Sequence, residues 1–159
     1  MEKYGCIEIE LSEEKLAAFY NNKELYIELY NLKENEYLLV KDSTDEVIDK
    51  YCYQNGQLRQ VMYTKLGGTF TGAIKPRNPQ QVCLFDMLKD KTSKIKLVTG
   101  RFGSGKTIAM TNAALELIEK GKFERIVWVR NNVSVKDAPE IGYLPGTEID
   151  KLMPYVMPL

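Results

Sequence analysis

The sequence predicts an α/β fold in which an incomplete parallel βαβ unit follows a small antiparallel β-rich module. Three observations predict it. Gly-Arg-Phe-Gly-Ser-Gly-Lys-Thr at 100–107 sits between a short apolar run, Ile95–Thr99, and a long helix-like run that Gly121 can stop. Asn55-Gly56 separates two stretches of β-prone residues, a strong hairpin signal. Charge also reverses along the chain: residues 1–72 hold 8 Lys/Arg and 13 Asp/Glu, and residues 73–159 hold 14 and 9. Residues 1–70 are therefore expected as one unit and 71–159 as another, with Gly67, Gly68 and Gly72 marking the join.

Each element has its own signal. Residues 4–11 alternate and predict a strand. Ser12 is the expected N-cap of one short helix, with Glu13 and Glu14 in its first turn and Leu16, Phe19 and Tyr20 along one side. Strands are expected over 36–41, 46–53 and 57–63. The first two join through Asp42–Asp45 and the last two through Asn55-Gly56. Asn78 caps a helix with Pro79 at its first position and Val82, Phe85 and Leu88 on its apolar face. Residues 95–99 and 125–130 are apolar runs of the kind found in parallel strands buried on both faces. With a helix over 107–120 between them they make the βαβ unit.

Composition narrows the chemistry. At 44% hydrophobic and 28% charged, the 159-residue chain is expected to fold rather than stay disordered. It contains no histidine, which excludes Ser-His-Asp and Cys-His nucleophile systems and His-ligated metals within this chain. Cys6, Cys52 and Cys83 are far apart in sequence and odd in number, so neither a disulfide framework nor a zinc site is expected. No apolar run reaches membrane-spanning length and the first residues do not form a signal peptide; the expectation is a cytoplasmic protein with no membrane partner. Lys89, Lys91, Lys94, Lys96 and Arg101 crowd the approach to the glycine-rich segment. They suit an anionic ligand, or equally a solvated loop.

Residues 100–107 fit Gly-x4-Gly-Lys-[Ser/Thr], the P-loop pattern, at every fixed position. Glycines let the backbone bring its N–H groups up to phosphate oxygens, and a helix N-terminus adds free N–H groups and its positive dipole end. Gly100, Arg101, Phe102, Gly103, Ser104, Gly105, Lys106 and Thr107 are the expected nucleotide contacts. Lys106 is placed to reach β- and γ-phosphates and the Thr107 hydroxyl to ligate Mg²⁺; these two are the expected catalytic residues.

Ile74-Lys75-Pro76-Arg77-Asn78, Gln81, Gly100 to Thr107, Ile141 to Gly146, Lys151-Leu152 and Pro154 together resemble the PhoH-like ATPases. The residues before them resemble the connector that joins a PIN nuclease domain to such an ATPase. The resemblance implies a P-loop NTPase, helicase-like, that binds ATP with Mg²⁺, acts on RNA and forms a homo-oligomer at full length. By position it implies that Gln81 reads adenine. Gln81 is also placed to close a capping box on Asn78, and the two roles compete for one amide. Ile141 to Gly146 reads as a Pro/Gly turn.

Departures from the family pattern shape a further expectation. Arg130-Asn131 stands where Arg-Pro is common, and Phe102 fills a loop position that is usually small. No apolar strand ends in Asp or Asp-Glu to order Mg²⁺, and no PIN-type set of acids is present. The expectation is a catalytic half-site, in a fragment or truncated product of a larger ATPase, that does not turn over ATP by itself. A competing expectation is a non-enzymatic RNA- or protein-binding module with a vestigial P-loop. Arg59 with Tyr51, Tyr53 and Tyr63 would be its stacking platform, although tyrosines in strands ordinarily serve sheet packing.

Overall fold

A computed structural model describes residues 5–69 and 72–129. The chain divides into two compact units, Met1–Glu124 and Arg125–Leu159, and every described helix and strand lies in the first. The order is β1 (Cys6–Glu10), α1 (Glu13–Asn21), α2 (Lys23–Leu29), β2 (Tyr37–Lys41), β3 (Val47–Gln54), β4 (Gln57–Gln60), α3 (Pro79–Lys89) and α4 (Lys106–Glu119). The four strands form one sheet in the order β1-β2-β3-β4.

The sheet departs from the expected antiparallel module at its first strand. β1 pairs with β2 in parallel, Cys6 opposite Tyr37 and Ile9 opposite Val40, while β2–β3 and β3–β4 are antiparallel. A parallel pair needs a crossover of a dozen or more residues, and α1 with α2 provides it. Where one helix was expected there are two. Asn22 (φ −145°, ψ 78°) interrupts the first, and its carboxamide oxygen caps the second by accepting from Leu25 N–H at 3.3 Å. Ser12 has the extended backbone of an N-cap but makes no side-chain cap bond.

The hairpin at Asn55-Gly56 follows its sequence signal. Both residues have positive φ (53° and 80°), as a type I′ turn requires, and Gln54 pairs with Gln57 across it. The β2–β3 turn is organised by Asp42. Its carboxylate accepts from the Thr44 hydroxyl and from the N–H groups of Thr44 and Glu46, bonds that hold its pKa below the ordinary value.

Two layers of helix cover the sheet. On one face Ile9, Leu38, Val40 and Tyr51 pack with Phe19 of α1 and Tyr26 of α2. Phe19 is fully buried and meets Tyr26 and Tyr51 edge-on, with centroids 4.9 and 5.5 Å apart. On the other face Tyr37, Leu39, Cys52 and Val61 pack with Val82 and Cys83 of α3. The three cysteines, distant in sequence, meet here as free thiols. Cys6 packs against this cluster and hydrogen-bonds to Cys83, and burial pushes the Cys52 thiol up to about 11. A third cluster, Leu66, Phe85, Ala109 and Ala113, joins α3 to α4.

The expected parallel βαβ unit is not formed among the described residues. Residues 95–99 carry no strand pairing, and Ile95 and Leu97 are 92% and 84% exposed. A strand persists only when another backbone satisfies its N–H and C=O groups, and among the described residues none pairs with this one. Residues 125–129, in the second unit, carry no strand either. The helix expected at 107–120 is present as α4.

Phe19 is the residue on which the first face closes. Phe19→Ala should lower the unfolding free energy by about 3–5 kcal/mol in urea denaturation, the cost of an unfilled aromatic cavity. A loss below ~1 kcal/mol would show that α1 does not seal this face.

Candidate phosphate-binding site

Residues 100–105 form a turn-rich loop that ends at the N-terminus of α4. Its glycines are needed for their backbone. Gly103 and Gly105 have φ of 73° and 86°, left-handed values that L residues rarely adopt. Gly105 is the N-cap of α4. It has no side chain to occupy the first free N–H groups, so that end of the helix carries no cap bond from its own residue.

Lys106 folds back into the loop. Its ammonium donates to Gly100 O at 3.0 Å, Arg101 O at 2.7 Å and Ser104 Oγ at 3.3 Å. One cation is thus wrapped by the loop's own oxygens. Thr107 is exposed in the first turn of α4, directly after it. Phe102 is fully solvent-exposed and does not fill the loop.

Gln81 connects this loop to α3. Asn78 caps α3, accepting from Gln81 N–H at 2.8 Å. The Gln81 side chain does not close the expected capping box on Asn78. Its Oε1 accepts from Arg77 N–H at 2.7 Å and its Nε2 donates to Ser104 O at 3.2 Å. An open cavity of about 700 Å³ lies beside it, lined by Ile74, Lys75, Arg77, Gln81 and Phe85 on one side and by Gly103, Gly105, Ile108 and Ala109 on the other.

The far end of α4 is anchored by Glu116, whose side chain is only 10% exposed. It accepts from Gly67 N–H at 3.1 Å and pairs with Lys120 and, at 3.5 Å, with Lys89. Burial pushes its pKa up, but the bonds from Lys120 and Gly67 and the charge of Lys89 outweigh it, and the carboxyl sits below its ordinary value. Glu119 accepts from Thr69 N–H at 2.9 Å. The glycine segment expected as a plain linker is therefore bonded along α4. Leu66 and Ile74 exchange backbone bonds of 3.1 and 2.7 Å, and a Cβ at Gly67 would lie 2.4 Å from Gly72 O.

The basic residues near the loop divide by role. Lys89 belongs to Glu116, and Lys96 donates to the carbonyls of Asp90 and Ser93 at the end of α3. The proposed aromatic platform does not assemble. Tyr51 is buried in the core, and Arg59 grips Asp86 with bonds of 3.1 and 2.8 Å. The Tyr37 hydroxyl donates to the same carboxylate at 2.9 Å, and burial with that negative neighbour raises its pKa well above the ordinary range. Asp86 was not singled out by sequence reasoning, because nothing local marks a helical aspartate as the partner of a strand arginine 27 residues earlier. The segment Ile141 to Gly146, Lys151, Leu152, Pro154 and Arg130-Asn131 lie outside the described residues.

Comparison with known proteins adds an independent line. The family model described as PhoH-like protein matches residues 73–159. The chain is similar to Protein PhoH2 of Bacillus subtilis (strain 168), 25% identical over 157 residues that cover 98% of this chain and 32% of that protein. It is also similar to Protein PhoH2 of Thermobispora bispora, 33% identical over 82 residues, and of Mycolicibacterium smegmatis, 29% identical over 82 residues. Each of those matches covers 52% of this chain and 19% of the relative. The chain thus spans about a third of the length of the first relative, and the matches to the other two span about a fifth of theirs. No solved structure matches it.

The Glu116 anchor has a definite pH signature. A carboxyl whose folded pKa is lowered stabilises fully above its ordinary value of 4.5 and loses that contribution as pH falls through the folded value. In thermal melts, the gap between the wild type and Glu116→Gln should be widest near neutral pH and close progressively below about pH 4.5. A gap constant across that range would show that the charge does not act.

Proposed function

The chain belongs to the PhoH-like family, and from that premise we propose that it is the ATP-binding portion of a helicase-like ATPase acting on RNA. The observation that carries this reading is the loop wrapped around Lys106 at the uncapped N-terminus of α4. The ammonium's partners there are two neutral carbonyls and a hydroxyl. Phosphate oxygens compete well for such a cation, because an anionic acceptor adds a charge–charge attraction that a neutral carbonyl or hydroxyl lacks. The helix end offers free N–H groups to the same anion.

The residues present fit the phosphate end of ATP and one position on Mg²⁺. Lys106 and the loop backbone would hold phosphate oxygens, and the exposed Thr107 hydroxyl would supply one metal ligand. Bound Mg²⁺ would neutralise charge on the transferring phosphoryl group. The cavity beside Gln81, with Lys75 and Arg77 on its wall, is the space available to the rest of a nucleotide. Phosphoryl transfer also needs an acid to order the metal and a group to orient water, and the sequence carries no strand ending in such acids. The chain is therefore read as a catalytic half-site. The RNA substrate is inferred from family resemblance.

Titration calorimetry tests this reading. ATP and inorganic tripolyphosphate should both bind, and Lys106→Ala should weaken both by about 10- to 100-fold, the worth of about one charge-assisted bond. Absence of binding by the wild type would overturn it. The 159-residue chain alone is expected to show no ATP turnover above background in a phosphate-release assay. Turnover lost in Lys106→Ala would show that residues 1–159 complete the site.

A further inference from the structure

We infer that Gln81 is a positioning residue for the phosphate loop rather than the reader of the base; this rests on the nucleotide-binding reading above. Adenine recognition by a carboxamide uses both of its ends, an oxygen accepting from the exocyclic amine and a nitrogen donating to a ring nitrogen. In this chain both ends are engaged. Oε1 accepts from Arg77 N–H at 2.7 Å, and Nε2 donates to Ser104 O at 3.2 Å. Reading the base would break two bonds to make two, leaving little net gain.

The bonds Gln81 makes serve the loop. Its own backbone is fixed by the Asn78 cap, and its helix is fixed to the sheet by Asp86. It reaches from that rigid support to the peptide just before Gly105, the N-cap of α4. A Cβ at Gly105 would stand 3.6 Å from Gln81 Nε2, an ordinary contact, so what this position asks of its residue is the left-handed φ of 86°. Ser104 is also the residue whose hydroxyl accepts from Lys106. The Gln81 bond thus restrains the peptide that carries one of the lysine's three partners. Losing it frees the loop to sample shapes that do not match a phosphate, and every ligand pays that ordering cost whether or not it has a base.

The distinguishing probe is a ligand with no base. Tripolyphosphate, ATP and GTP are titrated against the wild type, Gln81→Ala and Gln81→Met, the last keeping the side chain's length while removing both bonds. Melting curves confirm folding. Both variants should bind tripolyphosphate and ATP about five- to tenfold more weakly, by the same factor, the worth of about one hydrogen bond. The wild type should bind ATP and GTP within a few-fold of each other. A variant that loses ATP but keeps tripolyphosphate, or a strong ATP preference abolished in Gln81→Met, would make Gln81 a base reader and overturn the inference. Unchanged binding of both ligands would overturn it as well. Wild-type protein that binds none of the three would overturn the nucleotide-binding reading itself, so the two failures are distinguishable.

Discussion

Strand β2 has no solvent face, and the rest of the first unit is arranged around that fact. Its alternation sends Leu38 and Val40 into one cluster and Tyr37 and Leu39 into the other. Two separate layers must therefore cover it. The crossover helices α1 and α2 supply one; α3, which begins at Pro79 well beyond the end of the last strand at Gln60, supplies the other. Burying Tyr37 also buries its hydroxyl, which needs a partner. Asp86 of α3 accepts from it and is held in turn by the Arg59 fork. Removing Arg59 would leave a mostly buried carboxylate short of its main counter-charge, the costly way to break such a pair.

Helix α3 carries that order to the loop. Its middle is fixed to the sheet by Asp86, its first turn holds Ser104 through Gln81, and its last turn pairs with Glu116 through Lys89. Between them Phe85 packs on Ala109 and Ala113, small residues that let the helices approach closely. Helix α4 is thus held near both ends, at the loop by Gln81 and at the far end by Glu116. Phe102 of the loop and Thr107 and Ile108 in the first turn of α4 face solvent. A rigid frame with a free, cation-bearing rim is the arrangement that favours capture of an anion without a large ordering cost.

Basic residues that look alike in sequence do different work. Lys106 faces the loop, Lys96 closes carbonyls at the end of α3, and Lys89 neutralises a buried carboxylate. A count of positive charge near a motif therefore overstates what an anion would meet. The glycines at 67 and 68 show the same divergence. They look like a flexible join, yet the N–H of Gly67 bonds to Glu116, and a side chain at Gly67 would clash with Gly72 O.

Local chemistry was legible in the sequence wherever a few neighbouring residues decide the outcome. The Asn55-Gly56 turn, the Asn78-Pro79 cap and the glycine loop opening α4 all follow from backbone preferences a residue carries with it. The family was legible for the same reason, since its motifs are short and contiguous. The parallel sense of β1 and β2 was not, because strand direction is set by what the crossover packs against, and α2 is too short to announce itself. The pairing of residues 95–99 was not legible either: an apolar run states what it can bury, while a partner backbone decides whether it becomes a strand. The role of Gln81 was open for the clearest physical reason. A carboxamide has two ends, and only the fold brings Arg77 N–H to one and Ser104 O to the other.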